Sequence, residues 1–101
     1  MQNGVERAME IVNALRNRKR LAIISYLDNH DESSFTELCF ETVAGPMNPA
    51  TFKHHNGILM DKGMTEKVER GRYRMTSGFK GVYEIIKKII EYKKEVKPRP
   101  F

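Results

Sequence analysis

Apolar residues recur every three or four positions through Val5, Ala8, Met9, Val12 and Leu15, the spacing that places side chains on one face of a helix. The basic run at 16–20 interrupts this pattern. A second stripe, Leu21, Ile23, Ile24 and Leu27, predicts another helix, closed by a polar string at 28–33 that reads as a loop. Ser34 and Glu37 have the spacing of a capping box, in which each side chain satisfies the other residue's backbone N–H. Leu38, Cys39 and Val43 then supply the buried side of a short third helix that stops by Gly45-Pro46. Asn48-Pro49 is a strong helix start, because Asn caps free N–H groups and Pro fits the first position without losing a bond. That helix is expected to run over 48–62, with Gly63 as its left-handed stop. Two short stretches, 64–69 and 72–76, flank Arg70-Gly71 and predict a hairpin. A long last helix from about Ser77 or Gly78 to Val96 carries Phe79, Val82, Ile85, Ile86, Ile89 and Ile90.

Length and charge narrow the possibilities. A chain of 101 residues, 40% hydrophobic and 31% charged, has the material for one modest core that gains from a partner subunit. Residues 1–96 are expected to form the domain and 97–101, with two prolines, a flexible tail. The longest apolar run, Leu21 through Ile24, is far too short to span a bilayer, and the N-terminus lacks the succession of a signal peptide. The lone Cys39 cannot form an internal disulfide, which favours a reducing cytoplasm. The net charge of +5 is unevenly spread: residues 16–20 carry +4, 21–47 carry −5, and 64–80 carry +3. Such segregation suits a surface that meets a polyanion on one side.

The predicted order of helix, helix, short helix, tight turn, helix, hairpin and long helix is that of an α+β winged helix-turn-helix with a two- or three-stranded antiparallel wing. Particular residues extend the likeness. Arg20-Leu21 with Ile23-Ile24 and Leu27, Phe35-Thr36-Glu37-Leu38, and Thr51-Phe52-Lys53-His54-His55 with Leu59 and Gly63-Met64 stand at linked spacings. Arg70-Gly71-Arg72-Tyr73-Arg74-Met75-Thr76 follows them as a basic hairpin. Over residues 16–82 the chain resembles the arsenic-repressor-like (ArsR) group of winged-helix transcriptional regulators, in the style of archaeal and archaeal-virus members. The resemblance implies a homodimer that binds double-stranded DNA. It departs from the usual pattern at Asn56, where Leu is common, and at Gly57, which costs a helix interior on the order of 1 kcal/mol relative to Ala. Metal-sensing members carry paired cysteines where this chain has Ser34 and Thr36, and 77–96 contains no His, so no metal or other cofactor is expected.

Helical spacing turns Phe52, His55 or Asn56, and Leu59 inward and leaves Thr51, Lys53 and His54 to reach base edges in a major groove. Asn48 joins them at the helix start. Arg70 and Arg72 at a thin hairpin, aided by Lys67, are candidates for the narrow minor groove. Arg16, Arg18, Lys19 and Arg20 are the candidates for a flanking phosphate at the start of the second helix, and Arg20 either binds phosphate or pairs with an acidic residue such as Glu37 or Glu41. Val5, Met9 and Val12, with Ile85, Ile86, Ile89 and Ile90, exceed what one small core needs and are the expected dimer interface. His54 and His55 point about 100° apart and do not share a metal easily. No phosphate loop, nucleophile with a base, or apolar carboxylate pair is present in the sequence, so no enzyme is expected. The competing reading is a winged helix that binds only protein, in which Lys53, His54, Arg70 and Arg72 are dispensable.

Overall fold

The computed structural model describes residues 4–95, with side chains described through Glu91. The expected tail, 97–101, and the expected helix end at Val96 lie outside the described residues. The chain forms α1 (Gly4–Leu15), α2 (Arg18–Asp28), β1 (Ser33–Ser34), α3 (Phe35–Phe40), α4 (Pro49–Asp61), β2 (Thr65–Glu69), β3 (Arg72–Met75) and α5 (Ser77–Glu95).

Local chemistry sets most of these boundaries. Asn17 accepts hydrogen bonds from the N–H groups of Lys19 (2.9 Å) and Arg20 (3.2 Å), so the basic run is the first turn of α2 and not an interruption before it. Ser34 and Glu37 form the expected capping box of α3. This helix closes at Phe40, earlier than its apolar pattern predicts, and Val43 lies 80% exposed beyond it and not in its buried side. Asn48 caps α4 through the Thr51 N–H at 2.8 Å, and Gly63 ends it at φ +73°. Gly71 turns the hairpin at φ +75°.

The polar string expected to be only a loop also contains β1. Its extended backbone just before the α3 cap lies antiparallel to β3, with Ser33 opposite Tyr73, which gives a three-stranded sheet in the order β1-β3-β2. Two residues are too few to show strand alternation in a sequence.

The core joins Ile23, Ile24 and Leu27 of α2 to Leu38, Phe52, Leu59, Met64, Met75 and Phe79. Phe52 meets Phe35 edge-on at 5.1 Å and Tyr73 at 5.6 Å, so one α4 side chain locks that helix onto both α3 and the hairpin. From α1, Ile11 and Ala14 face this core, while the stripe of Val5, Met9 and Val12 faces outward. On α5, Phe79 and Tyr83 face inward and Ile85 and Ile89 outward. Lys87 anchors α5 to the end of α2 through Asp28 at 2.7 Å, and that carboxylate, with Glu84, raises its pKa.

Candidate nucleic-acid interface

Helix α4 and the β2–β3 hairpin lie side by side. Besides the Phe52–Tyr73 contact, the Thr65 hydroxyl of β2 donates to Asn56 Oδ1 of α4 at 3.0 Å, and both residues are buried. The Asn56 amide also donates to Met60 Sδ at 3.5 Å. Asn56, a departure from the resembled pattern, thus fixes the angle between the helix and the hairpin.

The outer face of α4 exposes Lys53 and His54, with Thr51 half-buried. Asn48 is exposed, but its side-chain oxygen is committed to the helix cap. His55 turns the other way. Its Nδ1 lies 3.2 Å from Arg20 Nη1, and since a guanidinium only donates, Nδ1 is the acceptor and the neutral ring carries its proton on Nε2. Burial holds its pKa below the ordinary value, with Arg20, His54 and Lys19 adding positive charge nearby. The His54 and His55 rings are 5.0 Å apart, and among the described residues no group of three potential metal ligands occurs.

Arg20 is neither paired with Glu37 or Glu41 nor free. Its Nε donates to Ala14 O at 2.7 Å, so one guanidinium joins the end of α1 to the middle of α4. At the far end of α4, Arg7 of α1 donates to Lys62 O at 2.7 Å. Arg18 does not join this side of the molecule: it lines a groove between α2 and α5 with Ser25 and Tyr83. On a helix, Arg18 and Arg20 point about 200° apart. Lys19, another of the flanking-phosphate candidates, is close enough to His55 to act on it, as Arg20 does.

The hairpin is short. Its turn is tied to α3 by the Phe35 N–H, which donates to Gly71 O at 2.8 Å. Arg72 does not extend freely from the tip; Glu32 holds it at 2.8 Å, with Glu69 at 3.9 Å, and the Glu32 hydrogen bond raises its pKa. Arg74 pairs with Glu66 at 3.2 Å. Arg70 at the turn and Lys67 on β2 are exposed, and like Lys53 and Lys19 they make no ion pair among the described residues. Sequence reasoning missed Glu32 and Arg7 because their partners lie 40 and 55 residues away, where no local pattern points.

The sequence matches no protein-family profile and no curated protein. Among solved structures, the crystal structure of an ArsR family transcriptional regulator is similar, at TM-score 0.63 and 20% identity, covering 96% of this chain and 100% of that one. Among the described residues, five helices around a small three-stranded antiparallel sheet, in the arrangement of that regulator, give this chain an ArsR-like winged helix-turn-helix fold.

Proposed function

We propose that the chain is a homodimeric, sequence-specific transcriptional regulator of the cytoplasm that binds double-stranded DNA. Helix α4 enters the major groove, presenting Thr51, Lys53, His54 and the free amide of Asn48, and the hairpin lays Arg70 against the adjacent minor groove with Lys67 on phosphate. Arg72 acts as the brace that holds Arg70 in place through Glu32, and Lys19 replaces Arg18 as the flanking phosphate contact. The observation that carries this reading is the adjacency of α4 and the hairpin, with Lys53, Lys67 and Arg70 exposed and unpaired on them. The similar ArsR family regulator supports the same reading.

The second copy covers the apolar stripes that α1 and α5 leave outward. Val5 (69% exposed), Met9 (59%), Val12 (57%), Ile85 (61%) and Ile89 (55%) form these stripes, flanked by Ile86 and Ile90. A two-fold axis there would set two copies of α4 about one DNA turn apart and favour a palindromic target.

Selection of duplexes from a random pool, followed by anisotropy titration across salt concentrations, tests the reading. Arg70→Ala is expected to weaken binding and to reduce the slope of log K against log salt by about 1. Equal affinity and equal slope in the variant and the unaltered protein would remove the hairpin from the interface.

A further inference from the structure

A groove of ≈ 430 Å³ runs between α1, α2 and α5, within the range of small-ligand sites. Ile11, Leu15, Leu21, Ile86 and Ile90 are among its apolar walls. Among the described residues Arg16 is its one charged lining residue, and Arg16 also lines a second apolar groove along the outer face of α1, again as the one described charge. The Arg16 side chain is exposed and makes no ion pair or hydrogen bond among the described residues.

A complementary occupant therefore needs an apolar body and an anionic head. A symmetric second copy brings the same residues to this face: more apolar surface and another Arg16, but no carboxylate among the described lining residues of either groove. An anionic head supplies the exposed Arg16 with the partner it lacks among the described residues, which the second copy's groove residues do not.

We propose that the groove binds an amphiphilic alkyl carboxylate, with its chain along Leu15, Leu21 and Ile86 and its carboxylate on the Arg16 guanidinium. The site lies apart from the α4–hairpin surface and shares Val12, Ile86, Ile89 and Ile90 with the stripes assigned to the second copy, so a small acid there competes with assembly. It does not depend on the DNA reading, because binding is measured without DNA.

Titration calorimetry of the full chain with hexanoate, octanoate and decanoate below their micelle concentrations, and with the matching 1-alcohols, tests the assignment. Affinity is expected to rise about fourfold for each added methylene. Each carboxylate is expected to bind at least about tenfold tighter than its alcohol, a preference that Arg16→Gln abolishes while alcohol binding persists. No heat with decanoate, as when a second copy fills the groove, would overturn the proposal. Equal binding of acid and alcohol by the unaltered protein would do the same, as would an undiminished preference in Arg16→Gln. The acid–alcohol comparison on the unaltered chain decides the matter even if the variant folds poorly.

Discussion

Replacing Gly57 by Ala tests whether α4 is shaped as described. Gly57 lies in the interior of α4, has no positive φ, and a Cβ built on its backbone meets nothing within 4 Å. The added methyl therefore brings no clash and little new packing, leaving the backbone term, in which glycine is the worse helix former because its unfolded chain has more freedom to lose. The expected gain is about 0.5–1 kcal/mol. For a domain of about 100 residues, each kcal/mol moves Tm by roughly 4–8 °C, so Gly57→Ala should melt about 2–8 °C higher. Circular dichroism melts supply the shift, and urea titration should show a raised midpoint at unchanged slope. A Tm equal to or below that of the unaltered protein would refute the reasoning: it would mean that position 57 is crowded or that α4 is not helical there.

Asn56→Ala leaves the Thr65 hydroxyl buried without its partner and should cost about 1–3 kcal/mol; adding Thr65→Val should recover part of that loss, and strict additivity in urea denaturation would contradict the hydrogen bond. Arg72→Ala removes a half-exposed pair with Glu32 and should lower Tm slightly, whereas Arg70→Ala should leave Tm unchanged; equal losses in both would contradict the bracing role. Because the fold lowers the His55 pKa from 6.5, it favours the neutral ring, so the contribution of this group is full above pH 6.5 and is lost as pH falls through the folded-state value. The Glu37 pKa is lowered by the Ser34 backbone hydrogen bond, so its own loss begins only below about 4.5. Between these limits His55→Gln should flatten the dependence of stability on pH, and an unchanged slope would contradict the burial of a neutral His55 ring.

Contacts within one turn of chain were legible in the sequence. Ser34 with Glu37, Asn48 with Thr51, and the glycines at 63 and 71 each act over no more than three residues, where residue type and spacing suffice. The order of elements and the inward positions on α4 followed from the same short-range periodicity. Asn17 belonged to this class too, but the charges around it masked the cap and placed the start of α2 late.

Tertiary structure decided the rest. Periodicity on α1 and α5 gives more apolar positions than one face can hold, and only packing chose Ile11, Ala14, Phe79 and Tyr83 for the core and left Val5, Met9, Ile85 and Ile89 outside. Arg18 and Lys19 are equivalent in composition, and the direction of α2 sent one to α5 and the other toward His55. The fate of Arg72 depended on Glu32, which the pairing of β1 with β3 brings near. Local spacing determines where a helix starts, stops and turns because those terms act along the chain; which cation stays free depends on partners tens of residues away, which folding alone brings together.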